Sequence, residues 1–197
     1  MSKLVGNLSH GILFILSAPA GTGKTTLIQR LKKEFPNIVQ SISTTTRSPR
    51  ATEHEGVDYF FLDKEAFEKK IVVGEFLEHV ELYGYHYGTS KVWVEHQLAS
   101  GKHVFLVIDT QGAHQLQQHK IAEKVVYIFV LPPSLQVLQQ RLESRGTETP
   151  VTLQKRLGEA EREIEASVHY DYRIVNDDLE TAYQVLKSIV IAEEHRV

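Results

Sequence analysis

The sequence contains no cysteine, one methionine and one tryptophan among its 197 residues. The missing cysteines exclude disulfide staples and thiolate metal sites. A strong charge imbalance is also missing. Lysine and arginine number 22 against 25 acidic residues, a net charge of −3, which lacks the overall basic character of a nucleic-acid binder. Any cationic function must therefore come from local clustering. Long apolar runs are missing too. The run nearest the N-terminus, residues 12–16, is far shorter than the ~20 residues a membrane helix needs. No basic segment with a longer apolar stretch and a cleavage site precedes it. These absences set the expectation of a soluble cytoplasmic protein that engages neither membrane nor nucleic acid. What is present, 42% apolar and 24% charged residues, is ordinary globular composition. The length suits one domain with small insertions.

Residues 12–16, Ile-Leu-Phe-Ile-Leu, read as a buried strand, followed by a Gly/Pro/Ala turn. Residues 25–33 read as a helix with Leu27, Ile28 and Leu31 on one face. A short strand is predicted at 39–43, a polar loop at 44–58, a strand at 59–62 and a helix at 64–72. Residues 74–88 are rich in glycine and tyrosine, with extended pieces. Ser90 caps a helix that Gly101 stops. Buried strands follow at 103–108, ending at Asp109, and at 124–131. Ser134 caps a helix to residue 144, and Thr152 caps another with Leu153, Leu157, Ala160 and Ile164 as its apolar stripe. A strand at 172–175 and a helix at 178–194 complete the pattern. Apolar strands alternating with amphipathic helices predict an α/β fold, a parallel sheet with helices on both faces. The stretches 40–90 and 134–157 break that rhythm and are candidates for subdomains that close over ligands.

At the junction of the first strand and first helix lie Ala18, Pro19, Ala20, Gly21, Thr22, Gly23, Lys24 and Thr25, with Thr26 next as a further candidate for ATP binding. This matches the P-loop except that the leading glycine is Ala18. Small residues let backbone N–H groups curl around phosphate oxygens, and the helix N-terminus adds a favourable dipole. Lys24 is placed to reach the transferring phosphate, and the Thr25 hydroxyl to ligate the Mg2+ that accompanies ATP. No third glycine follows at the spacing a dinucleotide site requires.

Arginines cluster in two further places. Arg47 and Arg50 share a Ser/Thr-rich loop, while Arg141 and Arg145, four apart, share one face of a helix and Arg156 sits on the next. Such cations suit transfer to an acceptor that is itself a phosphate. That nucleophile is already ionised, so it needs charge neutralisation rather than a strong base. The ten histidines show no metal pattern; His114 and His119, five apart, do not align on one helix face. Trp93 reads as a packing residue.

Taken together, residues 43–50, 53–59, 76–78, 87–89, 108–112, 141–147 and 175–178 resemble guanylate kinase, and the similarity runs from about residue 11 to about residue 193. The resemblance implies a P-loop core at about 1–38, 90–133 and 158–197. It adds a GMP-binding subdomain at about 39–89 and a helical lid at about 134–157. It implies ATP and GMP as substrates and leaves oligomeric state open. By similarity, Ser43, Arg47, Arg50, Tyr59 and Tyr87 hold the GMP phosphate or its surroundings, and Glu78, Thr89 and Asp109 read guanine. Arg141, Arg145 and Arg156 come from the lid, with Arg141 and Arg145 also near the ATP, and Asn176 lies beside adenine. A carboxylate at Glu78 can accept from both N1–H and the 2-amino group of guanine, while adenine leaves it unpaired. Sites built on such bonds discriminate by ~10⁴. One residue departs from the family pattern: Val107 stands where an acidic residue is usual, two before Asp109. A non-catalytic, phosphopeptide-binding relative is the rival reading, and the retained Lys24 and Thr25 argue against it.

Overall fold

The computed structural model describes residues 3–119, 121, 124–144 and 149–197. The chain runs β1 (Leu13–Ser17), α1 (Lys24–Glu34), β2 (Ile38–Gln40), β3 (Thr44–Thr45), β4 (Phe60–Phe61), α2 (Lys64–Val72), β5 (Phe76–Leu82) and β6 (Tyr85–Ser90). It continues through α3 (Lys91–Ala99), β7 (His103–Val107), α4 (Thr110–Gln118), β8 (Val125–Leu131), α5 (Leu135–Glu143) and α6 (Pro150–Ala166). A 3-10 turn at Ser167–His169, β9 (Tyr172–Val175) and α7 (Leu179–Glu194) complete it.

Five strands pair in parallel in the order β2-β7-β1-β8-β9. The central strand β1 is fully buried, and its alternation divides the core. Phe14 and Leu16 pack with Leu27, Ile28 and Leu31 of α1 and with Leu186 and Val190 of α7. Leu13 and Ile15 pack on the opposite face with Val94 and Leu98 of α3 and Ala113 and Leu116 of α4. Phe14 stacks on Phe105 of β7 at 4.8 Å between centroids. Truncating either ring leaves a cavity in both transfer and contact terms, a loss of ~3–5 kcal/mol. A third cluster, Leu138, Leu142, Leu153 and Ala160, joins α5 to α6.

Residues between 44 and 90 form a second, four-stranded sheet in the order β4-β3-β6-β5, which mixes parallel and antiparallel pairs. The predicted loop at 44–58 thus contains a short strand, Thr44–Thr45, buried against Gly88 and Tyr87 of β6. The strand predicted at 39–43 is Ile38–Gln40 and belongs to the parallel sheet.

Two corrections concern helix caps. The cap of α6 is Thr149, not Thr152: the Thr149 side chain accepts from Thr152 N, Pro150 follows, and the Thr152 hydroxyl reciprocates to Thr149 N. Pro150 marks that start, because its fixed φ suits the first helical position. Helix α4 was not predicted. Asp109 starts it by accepting from Gly112 N at 3.0 Å. The caps Ser90 and Ser134 stand as predicted. Trp93 packs against the second core cluster, as expected of a packing residue. His114 lies within α4 and His119 at its C-terminal cap, and the described residues hold no group of three or more metal-ligating side chains. Among them there is also no helix long and apolar enough to cross a membrane.

Candidate active site

The loop between β1 and α1 turns through Gly21 and Gly23, both with φ near +95°. Side-chain-bearing residues rarely adopt that backbone, so glycine is required here. Within the loop, Thr22 N and Oγ1 both donate to the Pro19 carbonyl, at 3.3 and 2.8 Å. Asn176, at the end of β9, braces it from outside. Its Nδ2 donates to Thr22 O at 2.6 Å, and a Cβ on Gly23 would stand 2.6 Å from that nitrogen. The Lys24 ammonium is folded back onto the carbonyls of Ala18 and Pro19. Thr25 and Thr26 lie exposed in the first turn of α1.

Two cavities flank this loop, each of about 320 Å³, at the lower end of small-ligand pockets. The first is lined by Gly21, Thr22, Gly23, Thr26, Arg141 and Asn176, with Ser144, Asp177 and Leu179. Arg141 of α5 donates from Nη2 to Asn176 O at 3.0 Å, so that helix and the loop brace are joined. Arg145 lies outside the described residues.

The second cavity opens on the other side of Lys24. It gathers Ser43, Tyr59, Glu78, Tyr87 and Asp109 from five separate places in the chain, with Ala18 and Ala20 of the loop. Tyr59 and Tyr87 meet edge-on at 6.1 Å. The Arg47 guanidinium carbon lies 5.4 Å from the Tyr59 ring centroid, and its Nη2 is held by both Glu53 oxygens at 2.8 Å. Arg50 donates its backbone N–H to the same carboxylate, and its side chain is exposed. Thr89 stands behind Glu78 rather than in the cavity, donating from Oγ1 to Glu78 Oε1 at 2.6 Å. Arg156 sits on α6 outside both linings.

Glu78 is the unusual group. Its residue is 3% exposed. Burial pushes the carboxyl up to about 7; the Thr89 bond opposes this and the charge of Asp109 adds to it. The neighbouring wall is Gly112, where an added Cβ would lie 2.7 Å from Glu78 Oε2 and 3.4 Å from Asp109 Oδ1. Burial also raises the Asp109 carboxyl, while the α4 backbone donors Gly112 and Gln111 pull it down.

Sequence reasoning missed Val80, Leu82, Tyr83 and Glu163, which share this lining. The signal for Val80 and Leu82 was period-two alternation from Glu78 along β5. That for Glu163 was helical spacing, since it lies seven residues after Arg156 on α6. Burial lifts the Glu163 carboxyl to about 7; Lys24 opposes this, and Asp109 and Glu159 add to it. Val107 also lines the cavity and packs against the core cluster of α1 and α7.

A glycine-turned loop thus stands between two separate pockets, one of them ending in a buried carboxylate. The family model described as guanylate kinase matches residues 11–193. The chain belongs to the guanylate kinase family. It is similar to the guanylate kinase of Protochlamydia amoebophila (strain UWE25), with 56% identity over 194 residues, 98% of this chain and 97% of that one. It is 48% identical over 190 residues to the guanylate kinase of Hahella chejuensis (strain KCTC 2396), covering 96% and 90%. The crystal structure of guanylate kinase from Anaplasma phagocytophilum superposes with a TM-score of 0.78 at 37% identity, covering 95% of this chain and 88% of that one. Val107 gives this cavity an apolar side chain from β7, while Glu163 brings a carboxylate to it from α6.

Proposed function

We propose that this chain transfers the γ-phosphoryl group of ATP to GMP, and to dGMP, giving ADP and GDP. Family membership supports the activity. The observation that carries the site assignment is the second cavity. It runs from Lys24 to a buried carboxylate whose oxygens are held by Thr89 and walled by Gly112.

GMP enters that cavity with guanine at Glu78, Thr89 and Asp109 and its phosphate toward Ser43, Arg47, Arg50, Tyr59 and Tyr87. Arg47, gripped by Glu53 and laid near Tyr59, is oriented before any ligand arrives. ATP occupies the first cavity, its phosphates on the backbone of residues 18–26 and its base beside Asn176 and Arg141. Lys24 then exchanges the Ala18 and Pro19 carbonyls for phosphate oxygens. Arg141, Arg145 and Arg156 offset the charge that builds up when two polyanions approach in line. Closure of the 134–157 segment excludes water and so suppresses hydrolysis of ATP. The core at about 1–38, 90–133 and 158–197 carries the 18–26 loop and Asp109, while the 39–89 insertion and the 134–157 lid bring the remaining binding residues to them as they close.

Mg2+ suits hydroxyl and carboxylate oxygens. The Thr25 hydroxyl, exposed in the first turn of α1, would hold it, while Asp109 and Glu163 are carboxylates that feel the charge of the adjacent Lys24, and Mg2+ accepts few protein ligands when phosphates and waters supply the rest. It would supply charge neutralisation to the phosphate groups. We place the activity in the cytoplasm.

The test is a panel of nucleoside monophosphates with ATP and Mg2+, read as ADP release. GMP and dGMP are expected to drive release, and AMP, CMP and UMP are not. Folded protein that releases no ADP in response to GMP refutes the assignment.

A further inference from the structure

The tip of the β5–β6 hairpin reaches α6, and nothing in the chemistry above uses that contact. Leu82 pairs with Tyr85, which leaves Tyr83 and Gly84 as a two-residue turn. Both have positive φ, 56° and 80°, as a tight hairpin turn of the primed type demands. Glycine adopts that backbone freely, but tyrosine does so at ~1–2 kcal/mol. Tyr83 is the one described non-glycine residue in this state.

Tyr83 as a residue is 60% exposed, so core burial does not explain that backbone. Instead α6 grips it from two positions one helical turn apart. The Tyr83 hydroxyl donates to Glu159 Oε2, and Lys155 Nζ lies 4.8 Å from the ring centroid. The contact bridges the mouth of the acceptor cavity, because Leu82 and Tyr83 line it from the hairpin and Glu163 lines it from α6. Arg156 follows Lys155 on that helix, and its charge is felt at the Tyr83 hydroxyl. Helix α6 runs unbroken from Pro150 to Ala166, so a pull at Glu159 is transmitted to Arg156.

We propose that Tyr83 is a positioning residue that clasps the acceptor hairpin to α6, so that filling the acceptor cavity with a guanine mononucleotide draws Arg156 toward the donor phosphates. This rests on reading that cavity as the GMP site. By linkage the two nucleotides then bind with positive coupling, each tightening the other by the same factor.

Tyr83→Phe tests the clasp with least disturbance. It keeps the turn and the ring over Lys155 and removes only the bond to Glu159. The Kd of GMP is measured by calorimetry with and without a saturating, non-hydrolysable ATP analogue plus Mg2+, for wild type, Tyr83→Phe, Glu159→Ala and the double variant. The binary GMP Kd is expected to stay within twofold in Glu159→Ala, because Glu159 lines neither nucleotide cavity. The coupling factor is expected to fall at least threefold in each single variant and no further in the double, because both remove one bond. An unchanged coupling factor in Tyr83→Phe overturns the proposal, as does a wild-type factor of one or a double variant that loses the product of the single losses. Those results leave the function standing, whereas wild-type protein that binds no GMP overturns both.

Discussion

Glu78→Gln removes a charge that the fold holds against its own interest, and the two consequences run in opposite directions. The carboxyl is displaced from 4.5 to about 7 by burial, and each unit is worth ~1.4 kcal/mol, so ionising it in the free protein costs about 3 kcal/mol. The folded-state value lies above the unfolded one. The fold therefore prefers the protonated carboxyl, and stability is lost as pH rises from about 4.5 through about 7. Glutamine carries no such penalty and can still accept the Thr89 bond. The variant is expected to match wild type near pH 4.5 and to gain up to about 3 kcal/mol above pH 7, roughly 6–12 °C in Tm for a domain of this size. GMP binding moves the other way. An amide replaces one acceptor of two guanine N–H groups with a donor, at ~3 kcal/mol, or ~100-fold in affinity at pH 8. Wild-type affinity should also weaken toward tenfold per unit below pH 7, while the variant stays flat down to the phosphate's own titration near ~6. Thermal scans across pH 4.5–8 and GMP titrations across pH 6–8 read both effects. A glutamine variant that binds GMP as wild type does, or a Tm difference that is constant across pH, refutes the role assigned to Glu78.

Lys24→Met should lower kcat by ~10²–10³ while leaving the Kd of GMP unchanged, as measured by single-turnover phosphoryl transfer beside calorimetry. Gly112→Ala places a methyl group 2.7 Å from Glu78 Oε2. Displacing that carboxylate is expected to weaken GMP by ~1–3 kcal/mol and spare ATP, and equal losses for both nucleotides would mean a global distortion instead. Glu194→Ala should lower stability by ~3–5 kcal/mol in urea without changing the denaturant slope. It strips the acceptor from the backbone N–H groups of Gly6 and Asn7 and from the fully buried His103.

The sequence made the parallel sheet legible because its strands are short continuous apolar runs and α1 shows its face at Leu27, Ile28 and Leu31. Helix α4 escaped because only Ala113 and Leu116 of Thr110–Gln118 are buried apolar residues and Gly112 weakens its first turn. Its one local sign is the capping carboxylate of Asp109, which the resemblance assigns to guanine. Strand β3 is two residues long and exists through its partners in β4 and β6 rather than through its own propensity. The same division applies to the site. The P-loop is contiguous and its chemistry follows from local spacing. Glu78 and Asp109 carry no local mark and came from the resemblance. Tyr83 and Glu163 meet the site only through tertiary approach, from a hairpin tip and from a helix eighty residues away.

The Asn176 amide that grips Thr22 O spans 154 positions, and this has a bearing on how the chain matures. The strand that delivers Asn176 is the outer member of the parallel sheet, docked on β8. A ribosome-bound chain that has emerged only through α5 lacks that clamp, so its glycine turn is unsecured and affinity for nucleoside triphosphate should arrive late, as a step rather than a ramp. Binding competence is thereby tied to completion of the sheet, and triphosphate in the surroundings rewards the finished fold and not its precursors.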